Sequence, residues 1–218
     1  MSSTVSESTF RSRLDRARTE MARTGVDALI LSLGHDMPYL TGYLAMPLER
    51  LTMLVVPREG DASLIIPRLE APRVTAMPSV FSLATWNETD DPVALAHKLL
   101  GSARTIAVGD QMWSRFLVDL LKFRPDAKYV RSVVVMEALR SRKDAAEIAA
   151  LVAAGAAADR VAAQLHAGDI PLVGRTEAQV SADISARLLA EGHQVVNFAI
   201  VAAGENAASP HHHAGDRV

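Results

Sequence analysis

The sequence predicts an α/β protein with a mixed sheet, followed by a shorter segment of different texture. Three observations predict it. First, short apolar runs alternate with amphipathic stretches over roughly the first 135 residues, the pattern of strands alternating with helices. Second, the runs "LTMLVVP" and "ASLIIP" are separated only by the polar turn "REGD" with Gly60. That spacing predicts a hairpin, so the sheet is mixed rather than purely parallel. Third, beyond that point alanine dominates and strand-like runs become scarce.

Taken in order, Phe10, Leu14, Ala17 and Met21 fall at helical spacing, and Gly25 supplies a left-handed helix stop. "VDALILS" is apolar on both parities, as in a strand covered on both faces. The hairpin follows. In "DDPVALAHKLLG" Asp91 is placed as N-cap, Pro92 as first helical residue and Gly101 beyond the end. "TIAVGD" reads as a short buried strand, "SRFLVDLLKF" as a helix and "KYVRSVVVM" as extended. The first domain is therefore expected over residues 1–137 and the second segment over 138–218.

In the second segment "LRSRKDAAEIAALVAAGAAADRVAAQLHAG" reads as one long helix opened by a Ser141/Asp144 capping pattern and closed by Gly168. Ile148, Leu151, Val152 and Gly155 share one of its faces. Thr176 and Gln179 form a capping box for the next helix, whose stripe is Val180, Ile184 and Leu188 and whose stop is Gly192. "QVVNFAIVAAG" is expected as a strand. A lone strand leaves its edge groups unpaired, so its partners are expected outside this chain.

Composition excludes several function classes. The chain has 218 residues, a net charge of −2 and no cysteine. It carries no basic excess to neutralise phosphates, so no nucleic-acid role is expected. It has no disulfide and no thiolate chemistry, which suits a cytoplasmic protein. The N-terminus has no apolar core of signal-peptide type. The alanine-rich run carries Glu147, Asp159 and Arg160, so it reads as a water-facing helix and no membrane partner is expected.

The strongest motifs lie in order along the chain. "YLTG" follows the first strand, "GRTE" opens a helix, and "AAGENAASPHH" with "DRV" closes the sequence. In this order they resemble the pita-bread metallopeptidase family of Xaa-Pro dipeptidases (prolidases), Xaa-Pro aminopeptidases and creatinase. The match departs from the family pattern at Ala203, where serine is common. The resemblance implies a ribonuclease-H-like N-terminal domain followed by the truncated start of an α+β pita-bread catalytic domain. It also implies hydrolysis of the bond before proline in a dipeptide or peptide substrate, by a homodimer carrying a dinuclear divalent metal (Mn, Co or Zn).

By the same resemblance His211, the histidine after Pro210, is a catalytic-site histidine beside the metals and not a ligand. A ring N–H there would stabilise a developing oxyanion. The family's ligands, two aspartates, a histidine and two glutamates, come from later segments. No residue of this chain is therefore expected to bind metal, and the chain by itself is expected to be inactive. A non-catalytic peptide- or protein-binding module and a metal-free creatinase-like hydrolase are the alternatives.

His35, Asp36 and Tyr39 follow the first strand, where α/β sheets place ligand contacts. In some prolidases this loop reaches the partner subunit's active site, which makes the three residues candidate substrate contacts. The plainer reading has Asp36 capping a turn and Tyr39 packing. His212 and His213 are expected as solvated loop residues, His193 as a companion of a helix C-terminus, and His97 and His166 as structural. His211 and His213 alone would make a weak metal site, short of the three or four ligands zinc takes.

Overall fold

The computed structural model describes residues 5–218 and divides into two compact units, the first ending at Arg142 and the second running Lys143–Val218. In the first unit α1 (Glu7–Thr24) starts on Ser6, whose hydroxyl accepts from Thr9 N, and ends on Gly25 at φ +70°. Next come β1 (Ala28–Leu31), α2 (Asp36–Thr41), β2 (Met53–Pro57), β3 (Ala62–Pro67), β4 (Phe81–Trp86), α3 (Pro92–Leu99), β5 (Thr105–Val108), α4 (Ser114–Phe123), β6 (Lys128–Arg131) and α5 (Val133–Arg140). A short 3₁₀ turn, Ala71–Arg73, precedes β4.

The six strands form one sheet in the order β4-β3-β2-β1-β5-β6. β2 pairs antiparallel with β1 and with β3, and the other neighbours are parallel. This is the mixed sheet the hairpin predicted. Side-chain alternation sorts the strands into two cores. Leu29, Leu31, Leu54 and Val56 face α1, α2 and α5 through Leu14, Met21, Leu40 and Met136. Ala28, Ile30, Met53 and Val55 share the opposite core with Val93 and Ala96 of α3 and Phe116 and Leu120 of α4.

Polar groups at the strand ends are satisfied by design of the sequence. Asp27 Oδ2 accepts from the amides of Arg104 (3.0 Å) and Thr105 (2.9 Å), which joins the start of β1 to the start of β5. Those amides, Thr105 foremost, hold the Asp27 carboxyl below the usual range, and Arg58 adds to the effect. The Trp86 indole N–H donates to the Leu51 carbonyl at 3.0 Å in a buried setting. Trp86→Phe is expected to lower stability by about 1–2 kcal/mol, by stranding that carbonyl and opening a small void. A urea titration checks this as a lower midpoint at unchanged slope.

Three sequence expectations are corrected. Residues 132–136 are not extended: after β6 the chain turns at Ser132 into α5. Three consecutive valines disfavour a helix only weakly, and burial of Val135, Met136 and Leu139 against the α1 side of the sheet outweighs that preference. Ser141 is the C-cap of α5, so it does not open the next helix. The cap of α6 (Ala145–Ala167) is Asp144, in a reciprocal capping box with Glu147.

In the second unit α6 is followed by α7 (Glu177–Ala190), started by the Thr176/Gln179 capping box, and by a 3₁₀ turn at Gly204–Ala208. Val161, Ile170 and Val180 form its small core, with Leu165, Ile184, Leu188 and Val201 packed against it. The strand expected over 194–204 is the third correction. This segment takes no regular structure, since no strand pairs with it. It is pinned instead at single points, such as Ser181 Oγ donating to the Ala199 carbonyl at 2.7 Å.

On α6 only Ala157 and Val161 are buried, and Ile148, Leu151 and Val152 are exposed. By length and composition alone α6 is apolar enough to cross a membrane. Arg160 in its C-terminal half pairs with Glu191 beside α7 at 2.6 Å.

Candidate functional site

Each unit carries one candidate region. In the first, the parallel strands β1 and β5 end side by side, and the loops after them diverge. Divergence at strand ends opens a crevice. A cleft of about 170 Å³ lies there, lined by residues that include Leu33, Gly34, His35, Asp36, Gln111 and Arg140. Gly34 sits at φ +93°, and a Cβ there would fall 2.0 Å from Gln111 Oε1, so the Gln111 side chain lies directly on the glycine.

Two of the three sequence candidates in this loop meet in the cleft. His35 is exposed at its rim, and Asp36 opens α2. The Asp36 carboxylate pairs with Arg140 Nη1 at 2.5 Å and lies 3.4 Å from Ser132 Oγ. Beside it, Asp110 forms a two-pronged pair with Arg131 at 2.9 and 2.6 Å. The Arg131 hydrogen bonds hold the Asp110 carboxyl below its usual range. Tyr39 does not line the cleft. Its hydroxyl donates to the Leu139 carbonyl at 3.1 Å, and the Arg13 guanidinium lies 4.1 Å from its ring centre. Its side chain thus ties α2 to α5 and α1.

In the second unit the organising group is Glu177, a residue of the "GRTE" motif to which the sequence alone assigns no role. The capping box at Thr176 fixes Glu177 as the first residue of α7. Its side chain is 1% exposed. Oε1 accepts from Ala203 N at 2.6 Å and from Asn206 Nδ2 at 2.9 Å. Oε2 contacts His212 Nε2 at 2.6 Å and accepts from Gly215 N at 3.1 Å. Four hydrogen bonds fill a carboxylate's acceptor capacity. They lower its pKa to about 2, with the Ala203 amide the largest cause, then Asn206 and His212, against the opposing effect of burial.

The backbone completes the arrangement. Glu177 N donates to the Arg217 carbonyl at 2.8 Å and Ala178 N to the Gly215 carbonyl at 2.9 Å. Arg217 pairs with Glu205 at 2.6 Å. Its guanidinium covers Gly204 so closely that a Cβ there would lie 2.6 Å from Nη2. The motifs "TE", "GEN", "PHH" and "DRV" are therefore one contact network, spread over 41 residues of sequence from Glu177 to Arg217. His211 stands exposed on the loop that this network holds.

His212 corrects the expectation of a solvated side chain: it is 19% exposed and engaged by Glu177. At neutral pH the carboxylate can only accept, so Nε2 carries the proton in this bond. His213 is exposed as expected. His193 follows the end of α7, and its amide donates to the Leu188 carbonyl at 3.2 Å. His97 stacks on Phe123 with ring centres 5.3 Å apart.

The residues present do not fit a dinuclear metal centre. Among the described residues no three His, Asp or Glu side chains converge on one point. Glu177 and His212 are two donors where zinc takes three or four, and both are committed to hydrogen bonds with protein.

Comparison with known proteins bears on both units. The family model for the Creatinase/Prolidase N-terminal domain matches residues 13–142. The probable dipeptidase PepE of Mycobacterium tuberculosis is 38% identical over 215 residues, covering 95% of this chain and 56% of that protein. Among solved structures, dipeptidase PepE from Mycobacterium ulcerans superposes with a TM-score of 0.89 at 38% identity, covering 98% of this chain and 58% of that one. A dipeptidase from Pyrococcus horikoshii OT3 gives a TM-score of 0.81 at 29% identity, covering 94% of this chain and 57% of that one. The chain thus spans a little over half the length of the relatives it matches.

Proposed function

Because the chain belongs to the creatinase/prolidase N-terminal domain family, we propose that it is the N-terminal portion of a cytoplasmic, metal-dependent Xaa-Pro dipeptidase. The reaction is hydrolysis of the bond before proline. The observation that carries this reading is the 38% identity to a probable dipeptidase over 215 residues, which runs through both units.

In this reading His211 meets the substrate near the scissile carbonyl, where an N–H donor stabilises developing negative charge. Metals held by residues outside this chain would supply an activated water and polarise the carbonyl. Their ligands come from outside these 218 residues, and no role in holding them falls to Glu177 or His212. The enzyme works as a homodimer, and the cleft loop with His35 and Asp36 contributes substrate contacts to the neighbouring subunit. Tyr39 acts there through packing, since its hydroxyl is engaged by Leu139.

The test is turnover of an Xaa-Pro dipeptide with added Mn²⁺. The 218-residue chain is expected to show none, and a chain extended to the length of its relatives is expected to show metal-dependent release of proline. Robust turnover by the 218-residue chain would overturn the assignment of the metal ligands. Proline-peptide binding without turnover by the extended chain would favour a binding module instead.

A further inference from the structure

We infer that Glu177 and His212 are positioning residues that set the orientation of His211, an inference that rests on the reading of His211 as the group meeting the substrate. The geometry is that of a clasp. His212 is adjacent to His211 and is mostly buried, with its Nε2 only 2.6 Å from Glu177 Oε2. The same carboxylate holds Ala203 N and Asn206 Nδ2 before the histidines and Gly215 N after them. One side chain, fixed at the start of a capped helix, therefore anchors both arms of the loop and the residue next to His211.

The three sequential histidines divide by environment. His211 and His213 are exposed and His212 is not. A loop tethered only at its two ends would leave His211 free to rotate with its peptide planes. The third tether, through the His212 ring, removes that freedom at the neighbouring residue. The freedom it removes is the misplacement that degrades a positioned group.

The chemistry of the clasp makes specific demands. Oε2 must accept from both His212 Nε2 and Gly215 N. Replacing Glu177 by Ala removes the acceptor of all four donors, so the His212 contact must break whichever ring nitrogen carries the proton. Replacing His212 by Gln keeps an amide N–H close to the position of Nε2, so the contact can re-form. Replacing His212 by Ala removes it.

The experiment follows the His211 and His212 imidazole signals by NMR in the 218-residue chain, with carbethoxylation of each histidine read by mass spectrometry. In the unsubstituted chain His212 is expected to react roughly tenfold or more slowly than His213, since its Nε2 is engaged by Glu177 and its side chain is largely shielded from solvent. In H212A and E177A the His211 signal is expected to move to the values of a free histidine, and in E177A His212 should react as fast as His213. H212Q is expected to restore the His211 signal. Far-UV circular dichroism confirms that each variant is folded.

An unchanged His211 signal in H212A, or a signal as disturbed in H212Q as in H212A, overturns the clasp. If E177A does not fold, the comparison of H212A with H212Q decides the matter alone. None of these readouts needs turnover. A failed clasp therefore leaves the peptidase reading standing, and an extended chain without peptidase activity leaves the clasp standing.

Discussion

Ile30→Ala is expected to destabilise the first unit by about 3–5 kcal/mol, toward the upper end for removing a buried aliphatic side chain. The size follows from position. Ile30 is 0% exposed and lies on β1, which has β2 on one side and β5 on the other. It is packed in the core with α3 and α4, while its neighbours Leu29 and Leu31 fill the opposite core. Strand pairing on both edges and helices on both faces prevent collapse into the void, so most of the cavity penalty remains.

The control is Leu83→Ala on β4, at the edge of the same sheet. Leu83 is 40% exposed, so its truncation is expected to cost less than about 1 kcal/mol. Chemical denaturation of the two variants measures the contrast. Equal losses would mean that the sheet does not distinguish centre from edge, and the two-core description would fail.

The contrast between those strands also explains what the sequence made legible. β1, β2, β3 and β5 are buried on both faces, and continuous apolar runs announce them. β4, "FSLATW", is not announced by the sequence, because an edge strand exposes Ser82 and Leu83 and breaks the run. α2 is six residues long with Pro38 within it, too short to show a helical period. α5 was hidden by its three valines, whose local preference is overridden by packing. α7 is legible because its Thr176/Gln179 capping box is a local device read within four residues, whereas α6 is legible from its alanine-rich run, its true box lying one turn after the Ser141/Asp144 pattern.

The site was legible only in part, for a related reason. His211 and Glu177 stand out in motifs, but the function of Glu177 depends on donors 26 to 38 residues away in sequence. No periodicity or propensity encodes such a contact. Glu177 is nevertheless at the first position of a helix whose cap was predicted, and an apolar loop rich in backbone donors follows at "VAAGEN". A buried carboxylate needs such donors to remain charged. In that sense the co-occurrence of "GRTE" with "AAGENAASPHH" is a physical pairing, an acceptor and its donors.

That pairing gives the second large effect, a loss of the C-terminal loop in acid. The folded carboxyl of Glu177 titrates at about 2, below its ordinary value of 4.5. A group whose pKa is depressed by folding stabilises the folded state fully above the unfolded value and loses that contribution as pH falls through the folded one. The loop is therefore expected to hold at pH 5 and to loosen progressively from about pH 4.5 down to about pH 2. Protonation of either oxygen puts an O–H where two groups must donate, so the loop loses part of its anchor.

Asp183 shifts in the same direction through Arg187 and Arg175, so total stability in acid does not isolate the effect. The amides of Ala203 and Gly215 do, because they donate to Glu177 alone among carboxylates. Their NMR shifts are expected to titrate together with a midpoint near 2, and their exchange protection to fall over the same range. E177Q should show neither titration. Midpoints near 4.5 for both amides would mean that the carboxylate is an ordinary surface group, and the four-donor arrangement around it would have to be abandoned.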